Sequence, residues 1–138
     1  MKQLFFIIIT IFLASCQTDD LTFDNTAAAM NGVYQFEKTC MYPTVGKDLT
    51  MTNALELTFT PDLKNTNQIL IEELGIYAKI TENSLDIPYQ TDAAGQFSYA
   101  GYGKKDGDDL QLFLNINNHT SNTIETCKMQ GQRLEFLD

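Results

Sequence analysis

The chain has 138 residues, 9 Lys+Arg against 18 Asp+Glu, a formal net charge of −9 and a pI of about 4.4. That length suits one small domain, and the acidic balance excludes a nucleic-acid or anionic-lipid binding face, which needs clustered Lys and Arg. Aromatics at 11% and charged residues at only 20% exclude a disordered acidic tail.

The first segment reads as an address. Lys2 is the only charged side chain before Asp19, and Leu4 to Leu13 is apolar except for Thr10. A run of this length is too short to span a bilayer, which takes roughly 20 apolar residues. It suits the apolar region of a signal peptide. Leu13-Ala14-Ser15-Cys16 follows and resembles the lipobox cut by lipoprotein signal peptidase. That resemblance makes 1–15 a signal peptide and Cys16 the first mature residue, lipidated on its sulfur, since a thiolate is the nucleophile such a transfer needs. Several acyl chains at about 0.8 kcal/mol per buried CH₂ anchor firmly without a membrane-binding face on the domain. Asp19-Asp20, just after the cysteine, resembles the surface-export signal of Bacteroidota lipoproteins. The expected location is therefore the outer membrane, exposed at the cell surface, with a periplasm-facing placement as the alternative. Residues 16–29 are expected to be the lipidated cysteine and a flexible tether, and 30–138 a single β domain. Ala27 to Gly32 has two readings: one helical turn stopping at Gly32, or a continuation of the tether.

The body reads as short strands separated by turns. Val33 to Lys38 carries Tyr34 and Phe36 at period two, and Leu55, Leu57 and Phe59 alternate with Glu56 and Thr58 until Pro61. Met41 to Ala54 reads as a long connection. Lys64 to Asn67 is a turn cluster, followed by Ile69 and Ile71 in a short apolar run. Ile76, Ala78 and Ile80 alternate, Thr81 to Ser84 suits a hairpin, and Leu85, Ile87 and Tyr89 alternate again. Phe97, Tyr99, Gly101 and Gly103 share one face with Tyr102 on the other. The glycines mark a bulge, a bend or close backbone approach. Asp106-Gly107 is a turn dipeptide. Leu110 to Ile116 is the strongest alternating run, and Ile124 to Met129 and Leu134 to Leu137 close the chain. Seven to nine short strands give an all-β fold, an antiparallel meander closed or nearly closed into a small β-barrel with a mostly filled interior. A β-sandwich is the alternative.

Three cysteines are an odd number for an exported protein. With Cys16 assigned to lipid, Cys40 and Cys127 remain as disulfide partners outside the cytoplasm. These features together resemble a group of small Bacteroidota surface lipoproteins with a lipocalin-like β domain. The residues carrying the resemblance are Gly32-Val33-Tyr34, Cys40, Ile76 to Tyr89 with Ile87-Pro88-Tyr89-Gln90, Tyr99 to Gly103, and Cys127. It implies a barrel-like domain in the cell envelope and brings no catalytic residue with it.

Chemistry is sparse. His119 sits in a polar loop with no ligand cluster at metal spacing, no Gly-x-Ser-x-Gly elbow exists, and no glycine-rich phosphate loop exists. Asp106, Asp108 and Asp109 lack the calcium-loop pattern and read as a solvated hairpin tip. Glu72-Glu73 reads as an exposed turn. No catalytic residue, metal or cofactor is expected. Tyr89, Phe97, Tyr99 and Tyr102 are the candidate ligand face, since tyrosine joins a flat apolar body to a hydroxyl. The expected function is a lipid-anchored, non-catalytic binding or accessory domain whose partners are the membrane, through the anchor, and an unidentified protein or small molecule. The alternative is a lipocalin-like carrier of a small apolar ligand.

Overall fold

The structure, a computed structural model, describes residues 26–44 and 47–135. Cys16, the signal segment and Asp19-Asp20 lie outside the described residues. The elements are a helical turn α1 (Thr26–Met30) and the strands β1 (Gly32–Thr44), β2 (Lys47–Pro61), β3 (Gln68–Ile71), β4 (Ile76–Thr81), β5 (Ser84–Thr91), β6 (Phe97–Asp106), β7 (Asp109–Asn118) and β8 (Thr123–Glu135), with a 3-10 turn at Glu72–Leu74. Each strand pairs antiparallel with the next, and β8 pairs with β1, so the meander closes into an eight-stranded barrel. The barrel, rather than the sandwich, is the observed architecture.

Period-two patterning decides which residues fill the barrel. Tyr34 and Phe36 of β1, Leu57 and Phe59 of β2, Ile76 and Ala78 of β4, and Leu110, Leu112 and Leu114 of β7 all point inward and are buried. Tyr34 and Phe59 meet edge to face at 5.2 Å, and Phe36 lies 6.1 and 6.2 Å from them. Burying each such ring contributes about 1.5–3 kcal/mol. The glycine positions allow this density. A Cβ on Gly131 would fall 2.4 Å from the Phe36 ring, and one on Gly101 would fall 2.0 Å from the Phe113 carbonyl oxygen. Of the three readings open for the β6 glycines, close backbone approach is the one seen at Gly101.

One end of the barrel is plugged. α1 is the helical turn rather than more tether, and its Ala27 and Met30 are buried in the core. The packed body therefore includes Ala27 as well as Met30. The Arg133 side chain, only 3% exposed, lies over the Tyr34 ring at 5.3 Å, donates to the Ala29 carbonyl at 2.6 Å, and meets Asp108 at 3.6 Å. Burial pushes the Tyr34 phenol up from its ordinary value, while the Arg133 guanidinium pulls the other way.

The barrel wall is uneven. Met41 to Ala54 is not a connection: it completes a long β1–β2 hairpin that pairs from Gly32–Phe59 to Thr44–Lys47. Residues 51 to 54 are exposed on both faces, so they carry no apolar alternation to read. β2 meets β3 only over Phe59–Pro61. Above that, the Glu73 carboxylate accepts from the Thr58 amide at 2.7 Å and from its hydroxyl at 2.6 Å, and Glu72 accepts from the Thr60 hydroxyl. These two acids, expected to be a free turn, thus tie the β3–β4 hairpin to β2. Pro88 and a register shift interrupt β5, and the Gln90 amide replaces a strand there: it accepts from the Tyr77 amide at 2.8 Å and donates to the Tyr77 carbonyl at 2.7 Å. Ile124 to Met129 and the start of the second closing segment, Leu134 and Glu135, belong to one strand, β8; the rest of that segment lies outside the described residues.

Candidate functional site

The four aromatics expected to form one ligand face occupy three places. Phe97 and Tyr99 point into the open end of the barrel, with ring centroids 6.3 Å apart, Phe97 half-buried and Tyr99 only 7% exposed. Tyr102 points outward and is 59% exposed. Tyr89 is also exposed, at 69%, in the irregular stretch of β5. The pleat separates Tyr99 from Tyr102, and the β5 irregularity carries Tyr89 onto the outer surface.

Phe97 and Tyr99 belong to a barrel mouth that also holds Tyr42, the Glu125 carboxylate and the Cys40–Cys127 disulfide. That bond joins directly opposed residues of β1 and β8, across the seam that closes the barrel. Burial, and behind it the Glu125 carboxylate, push the Tyr42 phenol above its ordinary range. Burial, then Asp92 and Glu125, do the same to Tyr99. Cys40, Glu125 and Cys127 cluster closely enough to hold a metal, but their sulfurs are bonded to each other, so no thiolate ligand is offered.

The exposed Tyr89 hydroxyl leads to a cluster that sequence reasoning missed. Ser98 is buried at the outer surface, and its hydroxyl lies 2.6 Å from His119 Nε2, 2.8 Å from the Thr91 hydroxyl and 3.1 Å from the Tyr89 hydroxyl. The β6–β7 register sets Phe97 opposite Asn118 and so carries His119, just beyond, next to Ser98. A serine–histidine contact is the first requirement of a nucleophile. Among the described residues, however, no carboxylate bonds His119 Nδ1, and Tyr89 covers the serine.

The outer wall of β6, β7, β8 and β1 is the most developed surface. Strand register lays its outward side chains in rows. One row runs Tyr102, Phe113, Lys128, Thr39, with Tyr102 and Phe113 stacked at 4.9 Å and the Lys128 ammonium 6.0 Å from the Phe113 ring. The next runs Lys104, Gln111, Gln130, Glu37, and the one after it Asp106, Asp109, Gln132, Gln35. Rows stand about 7 Å apart and strands about 4.8 Å apart, so the four glutamines form a block. Two adjoining clefts open on this wall. One of about 560 Å³ is floored by Phe36 and Gly131 and ringed by the glutamines, and one of about 460 Å³ is bounded by Met41, Phe113, Thr126 and Lys128. Glu37 and Gln130 border both. The phase of Gln111, Gln130 and Gln132 along their strands is the signal that could have found this surface.

The fold and this wall define an eight-stranded, antiparallel closed-barrel domain. No protein-family model matches the chain, and no curated protein does. A crystal structure of a Bacteroides ovatus protein of unknown function is similar in fold, with a TM-score of 0.57 at 11% identity over 76% of this chain and 42% of that one. The chain thus spans less than half the length of that neighbour. A likeness at this identity speaks for the fold alone.

Proposed function

We propose that the chain is a lipid-anchored, non-catalytic binding domain of the cell envelope, held through Cys16 and presenting the outer wall of β6, β7, β8 and β1 to its partner. The observation that carries this reading is the reversal of a carrier's layout: large rings pack the plugged half of the interior, while two clefts of binding-site size lie outside on the wall. The disulfide supports an oxidising compartment, and Asp19-Asp20 supports export to the surface. A non-catalytic role is supported by Ser98 lying beneath Tyr89, with no carboxylate among the described residues to orient His119. A lipocalin-like carrier would instead use the mouth at Phe97 and Tyr99, two ring neighbours on the inner face of β6.

The test is site-specific photo-crosslinking in intact cells. A diazirine side chain at Gln132, on the wall, should give a discrete adduct. The same group at Glu82, in the exposed β4–β5 turn, should not. Absence of an adduct at Gln132, or equal labelling at both positions, refutes the reading.

A further inference from the structure

We infer that the outer-wall clefts take a neutral, hydroxyl-rich glycan; this rests on the binding reading above and names its ligand class. The first observation is that the amides are unspent. Gln90 gives its side chain to the Tyr77 backbone, but among the described residues nothing hydrogen-bonds the side-chain amides of Gln35, Gln111, Gln130 and Gln132. They are nevertheless placed together, Gln111 opposite Gln130 and Gln35 opposite Gln132, around one cleft.

The side-chain chemistry selects the ligand. An amide both donates and accepts, as does a sugar hydroxyl, so a block of amides matches hydroxyls without requiring charge on either side. Glu37 and Asp109 add acceptors that suit hydroxyl donors. Phe113, whose ring faces are turned to Tyr102 and Lys128, and Met41 border the adjoining cleft and provide apolar edges against which the C–H groups of a sugar ring can pack. An anionic polymer is disfavoured, because the chain carries a net charge of −9 and the two wall lysines among the described residues, Lys104 and Lys128, stand in different rows, with Glu37, Asp106 and Asp109 on the same wall. An extended peptide has no purchase on backbone here, because β7, β8 and β1 are each paired on both sides along this stretch.

The experiment uses the full-length lipoprotein extracted from membranes in mild detergent. Native gels are cast with neutral polysaccharides of glucose, xylose or mannose, with polygalacturonate as the charged comparison. At least one neutral polymer should retard the protein, and polygalacturonate should not. Phe113→Ala and the pair Gln111→Ala with Gln130→Ala should each weaken retardation about tenfold or more, since one lost contact of 1.4 kcal/mol is tenfold. These side chains point outward, and an unchanged melting temperature shows that the variants fold. No retardation by any neutral polymer, stronger retardation by polygalacturonate, or retardation unaffected by both variants overturns the inference. A protease-sensitive adduct at Gln132 without glycan retardation would sink the glycan and leave the binding reading standing. No adduct at all would sink the binding reading.

Discussion

Reducing the Cys40–Cys127 bond should cost the domain as much as the most damaging single substitutions in its core. The bond closes a loop of 87 residues across the β1–β8 seam. In the chain-entropy model such a loop restricts the unfolded chain by about 4–5 kcal/mol at 25 °C. Domains of this size are stable by about 5–15 kcal/mol, so the reduced form should sit near the edge of folding. At about 4–8 °C per kcal/mol, the thermal midpoint should fall by about 16–40 °C. Guanidinium unfolding monitored by far-ultraviolet circular dichroism, with and without phosphine reductant, measures the difference. A Cys40→Ala, Cys127→Ala double variant should match the reduced protein and ignore reductant. Thiol labelling after denaturation should find both cysteines blocked until reductant is added. A stability difference under about 1 kcal/mol would refute the argument, because it would mean that the unfolded chain gains no freedom when the seam is cut.

Replacing Gly131 with Ala should destabilise the domain by about 1–3 kcal/mol, the usual cost of overpacking. The new Cβ meets the Phe36 ring, which Tyr34 and Phe59 hold in place; an unchanged urea midpoint would disprove that contact. Tyr34, Tyr42 and Tyr99, all raised by burial first, should ionise above the ordinary tyrosine value of 10.0. A raised folded pKa contributes stability that is present below the unfolded value and lost as pH rises through the folded one. Alkaline unfolding should therefore set in above pH 10, and Glu125→Gln should bring the Tyr42 and Tyr99 titrations down in near-ultraviolet absorbance; no downward movement would discount Glu125 as a cause. Cys16→Ala should release the protein from membranes on fractionation, and continued retention would remove the lipid anchor.

Most of the fold is legible wherever burial is one-sided. β4 and β7 alternate cleanly because one face meets the core and the other meets water. The upper β1–β2 hairpin is illegible for the same reason in reverse. Met51 faces the barrel axis beside Cys40 yet stays 49% exposed, because no β3 strand covers that level. The site was legible only in pieces. The sequence separates Tyr102 from Phe97 and Tyr99 by face without saying which face is outside, and the Tyr102 neighbours Phe113 and Lys128 depend on a register set by three strands. Ser98 and His119, 21 positions apart, meet only because Phe97 and Asn118 pair. No local propensity encodes a relation of that kind.

The placement of the clefts follows from where the barrel is stiff. β6 and β7 pair from Phe97–Asn118 to Asp106–Asp109, β7 and β8 along the full length of β7, and β8 and β1 from Val33–Glu135 to Met41–Thr126 with a disulfide across them. The opposite side is held by short ladders between β2 and β3 and between β4 and β5, supplemented by side chains of Glu72, Glu73 and Gln90. Binding loses affinity to whatever must be ordered at contact, so a site gains by standing on backbone that is already fixed. The inward positions of the stiff wall are committed to packing: Gly131 must stay small, and Leu112, Leu114 and Met129 fill the core. Only the outward phase of these strands remains free to carry recognition chemistry. The unspent amides lie in that phase, beside the disulfide-bonded seam.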